Sequence, residues 1–340
     1  MRKYLKADSQ KGFTVIELMV ALALGLILVA AAIQLFTGGI LSSQLQRANA
    51  EIQDSGIFGL DSMLRDVRLA NVGNLTNLKI DDQTPYGGIV LTGSSAANAL
   101  TVNFVPTVAA NTYIDAALLS RGSGDAVSTT DNHWKGLSNV TDPSGTAITS
   151  DQLTVQFVAP AEMSNCEGKT VFKGDLIVQR YYLRVDKNGT DDKDLALACD
   201  ANTPAATEAA VSSRPTTVSG LGTAGQVIIP RVDHFHVLLK VKADSGELAY
   251  YTIPEYRAAA QAARDTPASE GTVDEPRILA VQISTLIRST NNAKNPVVDP
   301  AGTTYSMFDH NVKASDTTTR YLRRVYSSTV ALRNAMGEDL

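Results

Sequence analysis

"KGFTVIELMVALALGLILVAAAIQLF", residues 11 to 36, is apolar almost throughout, and after Lys11 its one charged residue is Glu17. The stretch from Phe13 to Phe36 has 24 residues. Coiled as a helix at about 1.5 Å per residue it reaches about 36 Å, enough to cross a hydrocarbon core of about 30 Å. A cleaved secretory signal, cut near Ala30-Ala31-Ala32, is the alternative. Signal cores run about 7–15 residues, and this one is longer and carries an acid, so a retained span is the better reading. A carboxylate within a span costs about 2.5–3.5 kcal/mol on insertion scales. Glu17 therefore calls for a partner.

Charge sets the orientation. The chain has 340 residues and a net charge of −5, yet its first twelve residues carry Arg2, Lys3, Lys6 and Lys11 against Asp8 alone. A basic leader of this kind stays cytoplasmic, which places the rest of the chain on the far side of the membrane. That remainder is acidic, which argues against direct nucleic acid binding. The two cysteines, Cys166 and Cys199, then lie on the oxidising side, where they are expected to pair. Such a bridge would close a loop of about 33 residues, worth about 3–4 kcal/mol in the chain-entropy model. Two unrelated buried thiols are the other possibility.

The run Gly12-Phe13-Thr14-Val15-Ile16-Glu17-Leu18-Met19-Val20, behind its basic leader, resembles the class III signal of type IV pilins and type II secretion pseudopilins. The resemblance implies that prepilin peptidase removes residues 1–12, cuts between Gly12 and Phe13, and N-methylates the new amine of Phe13. It also implies that Glu17 pairs with the terminal amine of a neighbouring subunit during assembly. Burial of an unpaired carboxylate is costly, so an offered cation is attractive. Pairing of Glu17 with its own Phe13 amine, about one turn away, is compatible with this.

The helix is expected to continue through residue 73. Leu41, Leu45, Ala48, Ile52, Leu60, Met63, Val67 and Ala70 form a stripe with steps of three and four, and Gly56 supplies a small residue at its middle. Arg47, Glu51, Asp54, Asp61, Arg65 and Arg68 mostly take other faces. Thr37-Gly38-Gly39 is expected to bend or loosen the helix, and Gly73 to cap it. The organisation is thus a leader (1–12), a transmembrane half-helix (13–36), an amphipathic half-helix (37–73) and an extracytoplasmic head (74–340). The head reads as strands: "GGIVLTG", "ALTVNFV", "DQLTVQFV", "DLIVQRYYLRV", "QVIIPRVDHFHVLLKV", "AYYTI", "RILAVQISTLIRS" and "RRVYSSTVALRN". One further helix is expected over 254–265, and 201–225 and 290–306 read as mobile loops. The fold class is α+β and pilin-like, with a long N-terminal helix packed on a mainly antiparallel head.

"SGIFGLDSMLRDVRLANVGN", "SDQLTVQFV" before Cys166, "RYYLRV" leading to "LALAC", and the closing "RRVYSSTVALRN" resemble the PilW-type minor pilins of the type IV pilus. The resemblance implies a subunit that helps initiate pilus assembly within a minor-pilin priming or tip complex, supporting motility, adhesion or DNA uptake. Because it retains Glu17, its expected position is beneath the outermost subunit. The implied partners are other minor pilins and the major pilin, the inner-membrane assembly platform, prepilin peptidase, a tip adhesin, and the lipid bilayer through residues 13–36. The implied location is the inner membrane with a periplasmic head, then the pilus at the cell surface. A J-like minor pseudopilin of type II secretion and a pilin-anchored adhesin are the alternatives.

No enzymatic motif, cofactor or metal is expected. His234-Phe235-His236 places two imidazoles on one face of a strand, but the sequence offers no evident third ligand among the remaining histidines, His133 and His310. "DKNGTDDKD" (186–194) is acidic, yet its Gly189 and missing final Glu do not fit an EF-hand loop. A solvated hairpin turn explains it better.

Overall fold

A computed structural model of the chain describes residues 12–74, 79–93, 102–108, 113–266, 273–292, 298, 302–316 and 318–335. The leader up to Lys11 and parts of the 290–306 segment lie outside the described residues. The chain divides into two compact units, residues 1–47 and 48–340.

One helix, α1 (Val15–Arg68), runs without interruption across 54 residues. The expected loosening at Thr37-Gly38-Gly39 is absent. The Thr37 hydroxyl donates to the carbonyls of Ile33 (2.9 Å) and Gln34 (3.1 Å), and the helical pattern continues through both glycines. In the first unit the helix is apolar and exposed, with Phe13 90% and Leu35 80% accessible. In the second unit the expected stripe is buried as read: Ala48, Ile52, Gly56, Leu60, Met63, Val67 and Ala70, joined by Leu64. Helical spacing puts these residues on one face, and each large one buried contributes about 1.5–3 kcal/mol. The helix ends at Arg68, earlier than the sequence suggests. Asn71 (φ 69°) takes a left-handed conformation before Gly73 (φ 79°) does, and its N–H reaches the carbonyl of Gln156.

The rest of the second unit is antiparallel sheet. The first sheet has the order β2 (Gln152–Val158), β5 (Leu176–Val185), β6 (Leu195–Ala201), β7 (Gln226–Pro230). The second has β13 (Arg323–Ala331), β10 (Arg277–Arg288), β8 (Val232–Lys242), β9 (Leu248–Tyr251). A smaller one joins β1 (Val140–Thr141), β12 (His310–Ala314) and β11 (Thr304–Met307), and β3 (Met163–Ser164) pairs with β4 (Thr170–Val171). The α1 stripe shares one apolar cluster with the inner faces of both large sheets, through Tyr181, Leu197, Ile229, Phe235, Val237 and Ile283 among others. The other face of β5 is covered too, with Leu176 and Val178 packed against Val90, Phe104 and Leu118. Helix α2 (Ile253–Arg264) starts where expected, with a Thr252–Glu255 capping box.

Three readings need correction. "QVIIPRVDHFHVLLKV" is two strands, because Arg231 adopts φ 57° immediately after Pro230. "GGIVLTG" contributes only isolated bridges at Ile89 and Gly93 among the described residues. The 201–225 loop is tied down rather than free. Asp200 accepts from Gly222 N–H (2.9 Å), Thr203 N–H bonds Ser219, Ala205 N–H bonds Asp175, and Val218 and Leu221 are buried.

Candidate functional site

Residues Gly12, Phe13 and Thr14 precede the first turn of α1 in open surroundings, and a Cβ built on Gly12 meets nothing within 4 Å. Glu17 lies at the third helical position. Its carboxylate accepts from Thr14 N–H (2.9 Å) and from the Thr14 hydroxyl (3.1 Å), and Glu17 N–H bonds the Thr14 hydroxyl in return (3.3 Å). This is a reciprocal capping box, satisfying helix-start donors that otherwise lack partners. A threonine three residues before a glutamate is its sequence signature, legible in Thr14-Val15-Ile16-Glu17 but not read as a cap above. Glu17 thus has a local task at the helix start besides any pairing with an amine.

Beyond Glu17 the helix has no charged residue before Arg47. This segment is long and apolar enough to cross a membrane, and none of its most hydrophobic window is buried in the protein.

In the head, the two cysteines are joined, with Cα atoms 6.1 Å apart and a sequence separation of 33. Cys199 is fully buried on β6 opposite Tyr181, and Cys166 precedes β4. A polar chain links this bridge to α1. Cys166 N–H donates to Gln179 Oε1 (2.8 Å), Gln179 Nε2 donates to Asp66 Oδ2 (2.9 Å), and Tyr181 OH donates to the same oxygen (2.8 Å). Burial pushes the Asp66 carboxyl above its ordinary pKa, and these two hydrogen bonds only partly oppose it. Burial and the nearby Asp66 charge push Tyr181 well above the usual phenol value.

The buried arginines are structural. Arg180 is fully enclosed, pairs with Asp200 (2.7 Å), bonds Gln152 Oε1 (3.1 Å) and lies 4.0 Å over the Tyr182 ring. Asp233 accepts from Arg288 (3.1 Å) and Arg323 (2.7 Å). The acidic turn 186–194 connects β5 and β6 as a hairpin, as read. Its two inward carboxylates are engaged, Asp186 by Arg231 (3.0 Å) and Asp194 by Arg288 (2.5 Å) and by Thr190 N–H (2.7 Å).

The histidines separate into two places. His133 lies 3.6 Å from Asp115. His234 and His236, two apart on β8, are joined by His310 from the start of β12, giving three imidazoles where the sequence showed two. Burial, and then the charges of its two histidine neighbours, hold His234 well below the ordinary imidazole value. Burial would lower His236 as well, but Asp151 and Asp309 outweigh it and push it up to about 9.

Residues 180–334 match the family model described as Type IV Pilus-assembly protein W, and residues 8–33 match the Prokaryotic N-terminal methylation motif. No curated protein matches the chain. Among solved structures, a type IV-like pilin from Thermus thermophilus is 13% identical, covering 58% of this chain and 83% of its own, with a TM-score of 0.29, too low to carry an argument.

Proposed function

We propose that this chain, a type IV pilin-like protein of the PilW family, is a minor pilin that helps initiate pilus assembly from the inner membrane. One observation carries the reading. A prepilin-type N-terminus, with Glu17 on an exposed apolar helix, stands on the same chain as a head whose last half matches a pilus-assembly family. That head match supports the pilus over the type II secretion system. The chemistry is association, with no catalytic step. Prepilin peptidase would cut between Gly12 and Phe13, and the freed cationic amine would sit one residue before the helix cap. Within lipid an isolated carboxylate is expensive, so Glu17 gains by contacting the amine of an adjoining subunit. The head would then be periplasmic and enter the pilus near its tip, beneath the outermost subunit, among other minor pilins.

The capping box makes the test sharper. Glu17→Gln keeps an acceptor for Thr14 N–H while removing the charge, whereas Glu17→Ala removes both. We expect both variants to be processed normally and both to lower the yield of sheared pili, with this subunit lost from the pilus fraction by mass spectrometry. Wild-type piliation by Glu17→Gln, with failure of Glu17→Ala, would assign Glu17 to helix capping and overturn the assembly role of its charge. A clean deletion that leaves pilus number unchanged but abolishes attachment would replace assembly by adhesion.

A further inference from the structure

The three histidines that gather on β8 and β12 have the arrangement of a ligand set. Their candidate ligand atoms all lie within 4.8 Å of one another. His234 is 1% exposed, and its Nε2 is buried with no hydrogen-bond partner; the Nε2 of His310 is likewise buried and unpartnered. A buried ring nitrogen left without a partner costs about 1–3 kcal/mol, so two side by side need an explanation.

The opposite edge of each ring is held by oxygen. His234 Nδ1 lies 3.0 Å from the Ser138 hydroxyl and 3.1 Å from that of Ser150. His236 Nδ1 lies 2.9 Å from Asp151 Oδ2, which is itself fixed by Val237 N–H (2.7 Å). His310 Nδ1 lies 3.0 Å from Asp309 Oδ1. Metal-binding histidines show this pattern, in which one nitrogen is oriented by a carboxylate or hydroxyl while the other presents its lone pair. The remaining nitrogen, His236 Nε2, faces Asp309 Oδ1 at 2.9 Å. Asp309 occupies the two-residue turn between β11 and β12, and its side chain is 45% exposed. To admit an ion, Asp309 must give up its contact with His236 Nε2, either by swinging aside or by itself becoming an oxygen ligand.

We propose that His234, His236 and His310 bind one zinc ion through their Nε2 atoms, with Asp309 or water completing the tetrahedron. Zinc accepts imidazole nitrogens at about 2.0–2.1 Å, which places them about 3.3 Å apart. The rings must therefore close inward, and the β11–β12 turn is the part able to do so. The ion would fasten this small hairpin to the middle of the second sheet. Imidazole sets also accept copper and nickel, so cobalt serves as the reporter of geometry. The rival account is a metal-free ion pair, with a cationic His236 held between Asp151 and Asp309.

The test uses the full chain in detergent, stripped with chelator and re-equilibrated with zinc chloride. We expect one zinc per chain by elemental analysis, a melting temperature that rises with free zinc, and visible absorption of tetrahedral intensity when cobalt is substituted. X-ray absorption of the zinc form should show three imidazole ligands, a readout that requires no variant. His310→Ala should abolish stoichiometric binding, and Asp151→Asn, acting through His236, should weaken it about 10–100-fold. Less than 0.2 zinc per chain, a fit without imidazole ligands, or a cobalt spectrum unchanged in folded His310→Ala would overturn the site in favour of the ion pair.

Discussion

Asp66 shows how one residue can oppose the fold it belongs to. Its carboxylate sits near the end of α1 and accepts from Gln179 and Tyr181, but burial dominates and raises its pKa. A group that binds its proton more tightly when folded lends full stability below its unfolded pKa, near 4 for aspartate. That stability fades as the pH climbs through the raised folded value. Asp66→Asn keeps an acceptor oxygen without the charge. We expect it to be more stable than wild type at pH 7 and equal to it near pH 3, by urea unfolding at both values. Tyr181→Phe should do the reverse, costing about 1.5–3 kcal/mol at pH 7 because the carboxylate loses a donor.

At the scale of elements, α1 approaches the sheets closely enough that glycine is required. A Cβ on Gly59 would collide with Ile229 Cγ1 and lie 2.9 Å from the Ile228 carbonyl oxygen. Overpacking costs about 1–3 kcal/mol, against about 1 kcal/mol gained from helix propensity. Gly59→Ala should therefore lower stability by up to about 2 kcal/mol in thermal unfolding. Gly56→Ala meets the Tyr326 ring at 2.7 Å, a half-buried side chain and not backbone, and should cost less. Gly56 was legible in the sequence because it falls within an apolar stripe of steps three and four. The constraint on Gly59 was not, although it lies three residues after Gly56 and four before Met63 on the same face, because it comes from β7, remote in sequence. The β11–β12 hairpin escaped notice for a related reason. "TYSMFDHNVKA" is short and polar, and its Tyr305, Met307 and Val312 acquire an apolar partner only when Val140 and Leu286 arrive. The third imidazole was hidden with it.

Across the whole molecule the fold class was readable: a long N-terminal helix with an apolar start, then antiparallel strands. Those signals are local, since periodicity and charge belong to neighbouring residues. What could not be read was contact between distant segments, including the folding-back of 201–225 onto Asp200 and Asp175. The cysteine pairing lies between these cases, because two cysteines leave one intramolecular choice once they pair at all. That bridge should carry much of the head's stability. Cys166→Ser with Cys199→Ser should cost about 2–5 kcal/mol, and reductant should lower the melting temperature of wild type but not of the double variant.

The capping box at Thr14 bears on what maturation does to the protein. The first helical hydrogen bond runs from Leu18 N–H to the Thr14 carbonyl at 3.2 Å, so the ordered helix begins after the Gly12–Phe13 junction. A cut there severs one peptide linkage outside the hydrogen-bonded turn. If processing occurs there as proposed, it would leave that first helical hydrogen bond untouched while giving Phe13 a cationic amine one residue ahead of the cap.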